Sequence, residues 1–305
     1  MLSVHDFLSS FSPAFLAENT VLFEKTLASL TTFHIGGVAD AVISPPSVSS
    51  LCTLVCAAKA QGIPYRILGA GSNILAPDEG FQGLVFLTKK LNKISINGNY
   101  VLAECGLPLN SLILHTMRHG LGGMSSLYGI PASVGGAVYM NAGAHGDEIS
   151  RHLVKAEVLD AESGVRFYLA NDELSFAYRT SVLQSQKNLV LLRAYFCLPS
   201  VLCEETRREI CEVCRRRRDS QPLEFPSAGS AFRRPEGGVE AWRLIDAAGL
   251  RGMRIGGAEI SKKHAGFIVN CGGATASDVR ALLDICQERV GALFGVRLVR
   301  EIEFL

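Results

Sequence analysis

Gly129-Ile-Pro-Ala-Ser-Val-Gly-Gly-Ala-Val-Tyr-Met-Asn-Ala-Gly-Ala-His-Gly146 holds nine glycines and alanines in eighteen positions, between well-formed apolar segments. Side chains this small leave the main chain bare, so the stretch reads as backbone meant to touch something large. Gly135, Gly136 and Gly143 are then contact points rather than packing positions. A second such spot is Gly69-Ala-Gly-Ser-Asn73, which follows the mostly apolar Tyr65–Leu68 as a loop follows a strand. Its free amides and the Ser72 hydroxyl suit a phosphate. Two Gly-rich backbone sites in one chain point to a long, dinucleotide-like ligand.

Composition bounds the rest. With 305 residues, 48% hydrophobic, 19% charged and a net charge of +1, the chain is expected to form two or three globular parts. Near-neutral charge argues against a nucleic-acid binder, which gains affinity from excess Lys and Arg. No apolar run reaches membrane-spanning length, since even Leu189–Leu198 is interrupted by Arg193. With no Lys or Arg before Lys25, a secretory signal is not expected, and the inference is a cytoplasmic protein without an obligate protein partner. The nine cysteines are odd in number and scattered, which predicts free thiols. Cys211 and Cys214 form a CxxC inside a helical-looking segment with no second pair, so no metal is expected.

The spacing of Val48, Leu51, Val55 and Ala58 predicts a helix over 47–62, ended by Gly62. Asn97-Gly98 between alternating residues predicts a hairpin over 93–105, and 108–120 reads as a helix. Residues 155–170, broken by Glu162-Ser-Gly164, and 189–198 read as strands, giving mixed α+β. A charged helix over 204–219 and the Pro-punctuated Gln221–Pro226 mark a change of texture. The expected division is an N-terminal segment 1–30, a first domain 31–200 and a second domain 201–305. The last helix, 277–294, places Val279, Leu282, Leu283, Cys286, Val290 and Leu293 on one face, and 296–305 reads as a closing strand.

The motifs restrict the chemistry. GAGSNIL has Ile74 where a Rossmann fingerprint needs its third Gly, and Lys89-Lys90 stand where the acidic residue belongs; the dipeptide Gly-Lys of a P-loop never occurs. Arg179, in Phe-Ala-Tyr-Arg-Thr-Ser, is either a structural ion-pair residue or a cation for a carboxylate or developing enolate. Ser230, after Gly229 in a Pro-bounded loop, is either a turn residue or a proton donor. A hydroxyl is so poor an acid that only a carbanion or enolate would take its proton, which fits reduction of a conjugated C=C bond. Glu301 and Glu303 share one face of the closing strand, either solvated or polarising a substrate. The Arg215–Arg218 run offsets the helix dipole, and one or two of its members could reach a diphosphate. His34 and His264 read as hydrogen-bonding loop histidines.

Taken in order, TTFHIGGVAD, ILGAGSNIL, YGIPASVGGAVYMNAGAHG, FAYRTS, PSAGSAF and SKKHAGFIVN resemble the UDP-N-acetylenolpyruvoylglucosamine reductase family over about residues 31–303. The resemblance implies an α+β fold: a two-lobed FAD-binding domain of the vanillyl-alcohol-oxidase (PCMH) type followed by a substrate domain. It implies non-covalent FAD, NADPH as hydride donor, and reduction of the enolpyruvyl ether of UDP-N-acetylglucosamine to UDP-N-acetylmuramate for peptidoglycan. By the same resemblance the flavin would be lined by Thr32, Ile35, Gly36, Gly69, Ala70, Gly71, Ser72, Asn73, Gly129, Pro131, Ser133, Val134, Gly135, Gly136, Asn141, Ala142 and Gly143. Tyr178, Arg215, Gln221, Gly229, Phe232 and His264 would meet the substrate, with Arg179, Ser230 and Glu301 catalytic. Between Ser181 and Val190 there is no room for the long Tyr-bearing insertion of one branch, so the chain is similar to the shorter branch. The alternatives are another flavin oxidase or dehydrogenase of the same superfold, which oxygen would rapidly reoxidise, and a non-catalytic flavin-binding module, which NADPH would not reduce.

Overall fold

The strongly periodic segments form the elements their patterns predict, and a computed structural model describes them over residues 4–305. By internal contacts the chain divides into one unit of Met1–Phe23, Asp40–Ala70 and Gln82–Arg215, and a second of Glu24–Ala39, Gly71–Phe81 and Arg216–Leu305.

In the first unit, Ser47 caps helix Val48–Ala60 by accepting a hydrogen bond from the Ser50 amide at 3.2 Å. The helix buries Val48, Leu51, Leu54, Val55 and Ala58 and stops before Gly62, whose φ of 65° suits the left-handed C-terminal position. Strand Tyr65–Leu68 then pairs in parallel with Phe81–Leu87, opposite Leu84 to Leu87, within a four-stranded sheet that also holds Val38–Ser44 and Thr20–Thr26.

The other sheet of this unit runs in the order Arg166–Ala170, Leu153–Asp160, Leu189–Cys197, Tyr100–Glu104, Ile94–Asn97, antiparallel throughout. Its 94–104 hairpin turns at Gly98, where φ is 57°. Arg193, on the central strand, faces Glu157 on one neighbour and Glu104 on the other. It donates to Glu157 at 3.0 Å and lies 3.7 Å from the Glu104 carboxylate, while Arg166 also bonds Glu157. Both carboxylates are about 95% buried, an arrangement tolerable only with such partners.

Short helix Val134–Tyr139 packs on strand Leu189–Cys197 and takes its entry from the end of the 100–104 strand: the Val134 amide donates to Leu107 at 2.8 Å and Gly135 to Cys105 at 2.7 Å. The Cys105 thiol is fully buried, and desolvation pushes it up to about 12, so it stays protonated.

The second unit is built on an antiparallel sheet in the order Ser227–Ser230, Phe267–Asn270, Ala258–Ile260, Arg254–Ile255, with helix Ala276–Phe294 packed against its last two strands. Thr275 and Asp278 form a capping box on that helix. Asp78 adds a second carboxylate, accepting from the Ala276 and Ser277 amides at 2.7 and 3.0 Å. The helix buries Val279, Leu282, Leu283, Cys286 and Val290 as expected, but Leu293 is 60% exposed because the last turn runs past the sheet.

One expectation needs correction. The closing strand is not continuous over 296–305: only Glu303–Phe304 pairs, in parallel with Ile74–Leu75, and Arg300 makes an isolated bridge to Phe232. The simple alternation of faces fails with it, since Leu298 and Ile302 are buried while Phe304 is 37% exposed. By internal contacts the second unit's last segment begins at Arg216, inside helix Cys203–Ser220. The first half of that helix buries Thr206 and Ile210, and its Glu209 accepts from the Ser125 hydroxyl at 2.5 Å, which ties it to the first unit.

The Asp78 contact predicts a measurable stability effect. Asp78→Ala removes the acceptor of two helix amides and is expected to cost about 1 kcal/mol, seen as a lower urea midpoint at unchanged slope. An unchanged midpoint would show that the capping box alone serves this helix end.

Candidate active site

In the first unit the chain from Ser175 to Ser181 makes a tight turn in which the Ala177 and Thr180 backbones bond each other reciprocally, at 3.1 and 3.0 Å. Arg179 takes the third position with φ at 56°, a conformation that glycine or asparagine normally fills. Holding a bulky side chain there costs about 1–3 kcal/mol and persists only when the surroundings enforce it. The guanidinium donates to the Gly143 carbonyl at 2.9 Å and lies 4.9 Å from the centre of the exposed Tyr178 ring. Arg179 is thus brought to the Gly-rich stretch, and Gly143 is glycine partly for its sake: a Cβ there would fall 3.3 Å from the guanidinium and 2.6 Å from the Asp147 carbonyl.

The Gly-rich stretch itself is more self-packed than its sequence suggests. Gly135 as well as Gly143 serves packing, because a Cβ at Gly135 would stand 2.9 Å from the Cys105 carbonyl oxygen. Asn141 is fully buried at φ 43°; its side-chain oxygen accepts from Ser150 N–H and its amide donates to Ala177. That side chain holds the Arg179 turn from inside the core. Val134 and Ala142 are likewise buried in the core. Gly129 directs its N–H to Asn110 at 2.7 Å with φ at 85°, and Pro131 is exposed.

What remains open is Gly136, exposed on the first helical turn, where a Cβ would meet nothing nearer than Ser133 Oγ at 3.5 Å. Ser133 in turn touches Gly69, where a Cβ would fall 2.2 Å from its hydroxyl oxygen. Two of the strings read separately in the sequence therefore meet at Gly69 and Ser133. Bare backbone at Gly69, Ala70 and Gly136, with a hydroxyl between and no acidic side chain among them, fits a flavin dinucleotide.

In the second unit, Ser230 ends its strand next to a bulge. Ser227 faces Val269 but Ser230 faces Phe267, and Gly229, at φ 76°, takes up the extra residue. The result is an exposed Ser230 side chain. Its neighbour Ala231 accepts the Glu301 amide at 2.9 Å, and the Glu301 carbonyl accepts from the Asn73 side-chain amide at the same distance. Ser230 and Glu301 thus come together through one residue, and Asn73 spends its side chain on the backbone of Glu301. Thr32 donates to Ser227, and its amide donates to Gly71. Ile35 and Phe232 are buried in the core. Gly36 and Gly71 are held tightly by Ala76 and Leu30 respectively. Gln221 Oε1 is buried without a hydrogen-bond partner among the described residues. Arg215 is exposed on its helix.

Sequence reading missed Asn270 and Gln184. Asn270 donates to the Phe33 and His34 carbonyls and accepts from Gly272 and Ala274, fixing the TTFHIGG loop. Its place at the end of SKKHAGFIVN was the available signal. Gln184 had none, and it donates to the carbonyl of Arg179.

Residues 221–305 match the model of the UDP-N-acetylenolpyruvoylglucosamine reductase C-terminal domain, and residues 39–167 match an FAD-binding domain model. A UDP-N-acetylenolpyruvoylglucosamine reductase from Caldicellulosiruptor bescii is 44% identical over 93% of this chain and 90% of its own. One from Clostridium botulinum is 40% identical over 95% of this chain and 94% of its own. The chain belongs to the UDP-N-acetylenolpyruvoylglucosamine reductase family. The crystal structure of the reductase from Thermus caldophilus, 36% identical, superposes with a TM-score of 0.78 over 94% of this chain and 98% of that one. The expected α+β class with an FAD-binding domain is therefore the fold of this family member, an oxidoreductase by family. Among the described residues no helix is long and apolar enough to cross a membrane.

His264, one of the residues expected to meet substrate in this family, is packed against Trp242 and Phe267, and its Nδ1 accepts from Gly266 N–H at 3.1 Å. Burial, aided by the Arg251 charge, pushes its pKa below the ordinary 6.5. The fold therefore holds the neutral imidazole, and stability present above about pH 6.5 is lost as pH falls below it. His264→Gln is expected to flatten part of the fall in melting temperature between pH 7.5 and 5.5; an equal fall in both proteins would count against this.

Proposed function

We infer that this protein reduces UDP-N-acetylglucosamine enolpyruvate to UDP-N-acetylmuramate, using FAD and NADPH, in the cytoplasmic supply of peptidoglycan precursor. The observation that carries the reading is the Ser230–Ala231–Glu301 arrangement: an exposed hydroxyl, re-aimed by a bulge, beside a glutamate whose backbone is bonded on both sides. Those are the groups that protonation of an enolate requires, in a chain of the matching family.

FAD, when bound, supplies the hydride chemistry. Residues at Gly69, Ala70, Ser133 and Gly136 would hold it, on the backbone exposure described above. Of the chain's own groups, Arg179 would bind the substrate carboxylate and stabilise charge that builds at C2 once C3 is reduced. Its bond to Gly143 and its seat over Tyr178 keep the guanidinium in place before substrate arrives. Ser230 would give its proton to C2, completing the lactyl ether. Glu301, if protonated, would donate a hydrogen bond to the same developing charge. Gln221 Oε1 supports the reading as an acceptor for a donor group of the sugar nucleotide.

The reading is tested by anaerobic NADPH oxidation with the flavin-loaded protein, with and without the enolpyruvyl sugar nucleotide. Turnover confined to the mixture with substrate is expected, and its absence would overturn the reaction. Ser230→Ala should lower kcat about a hundred- to a thousandfold with flavin still bound, whereas near-wild-type turnover would remove the proton-donor role. Gly136→Ala makes only an ordinary contact with Ser133 Oγ and should leave the melting temperature of the apoprotein equal or raised while weakening FAD retention in equilibrium dialysis. Undiminished retention would move the cofactor away from this turn.

A further inference from the structure

The Arg179 turn poses a physical question: what, beside the guanidinium's bond to Gly143, keeps an arginine at φ 56°? The answer lies downstream, in the single helical turn Val182–Ser185. Half-buried Gln184 donates through Nε2 to the Tyr139 carbonyl at 2.9 Å and to the Arg179 carbonyl at 3.0 Å, with Met140 Sδ a longer third acceptor at 3.5 Å. The Tyr139 carbonyl closes helix Val134–Tyr139, and Ser181 Oγ also donates to it at 2.7 Å. One carboxamide therefore ties the peptide that follows Arg179 to the end of the Gly-rich helix. On the other side of the turn, Asn141 holds the Ala177 carbonyl at 3.0 Å.

We propose that Gln184 is a positioning residue for Arg179, its carboxamide locking the Arg179 peptide in the left-handed conformation that aims the guanidinium at the Gly143 end of the Gly-rich stretch. The role given to Arg179 rests on the reductase reading above. The carboxamide is needed for a plain chemical reason. The two near partners are carbonyl oxygens, so the side chain must present two donors from one atom; a carboxylate cannot, and an apolar isostere leaves both carbonyls without it. Simple filling of space would be satisfied by leucine. Control of the turn would not.

The test is a double-mutant cycle of Gln184→Leu with Arg179→Ala, together with amide exchange. In the wild-type background Gln184→Leu should lower kcat about 10- to 100-fold, the scale of a misplaced group, with the KM for NADPH and the rate of flavin reduction by NADPH unchanged. In the Arg179→Ala background it should cost less than about twofold, because the group it positions is gone. Hydrogen–deuterium exchange should rise at residues 176–181 and stay unchanged in strands Leu153–Asp160 and Leu189–Cys197. Equal losses in both backgrounds, an equally slowed flavin reduction, or unchanged exchange at 176–181 would each overturn the proposal. If the wild-type protein fails to turn over the enolpyruvyl substrate, the reductase reading falls separately, and the exchange result alone still decides whether Gln184 holds the turn.

Discussion

The chemistry of the first unit rests on one close backbone approach. Gly135 gives its N–H to Cys105 at 2.7 Å, at a distance that leaves no room for a Cβ. That approach seats helix Val134–Tyr139 on the end of strand Tyr100–Glu104. The seated helix presents two things: an open first turn at Gly136, and a last carbonyl at Tyr139 on which Ser181 and Gln184 converge. A few atoms of missing side chain thus set both the cofactor-facing backbone and the turn that carries Arg179.

The second unit works by collecting distant chain segments. Residues 71–81 are held by the Asp78 contact to helix Ala276–Phe294 and by parallel pairing with Glu303–Phe304. Residues 24–39 are held by Asn270 and by the Thr32 hydroxyl. Polar side chains do this through backbone partners, so the motif residues that recur along the sequence are largely fasteners. Asn73 and Asn270 hold the loops that carry other groups.

How much was legible follows from how local each signal is. Helix Val48–Ala60, the 94–104 hairpin and helix Ala276–Phe294 declared themselves because their periodicity, caps and turn residues are written within a few positions. Arg179, Ser230 and Glu301 could be singled out by residue type and context, and the structure adds how each is held. The closing strand misled because alternation is necessary for a strand but not sufficient: residues 296–302 find only an isolated bridge. The packing role of Gly135 and Gly143 was hidden for the opposite reason, since a glycine that admits a neighbouring chain and one that admits a ligand look alike until the neighbour is known. Gln184 was invisible because its partners are main-chain carbonyls, which every residue has.

Arg193 lies directly opposite Glu157 and Glu104 in the two strand pairings it joins. Alternate residues of a strand point to opposite faces, so sliding strand Leu189–Cys197 by one position against either neighbour would turn the guanidinium away from both carboxylates at once. Glu104 would then be enclosed without its cation and Glu157 left with Arg166 alone, a penalty larger than a lost surface ion pair. The triad is therefore a proofreading device for the sheet: it adds little to the depth of the native minimum and much to the height of its nearest misaligned competitors.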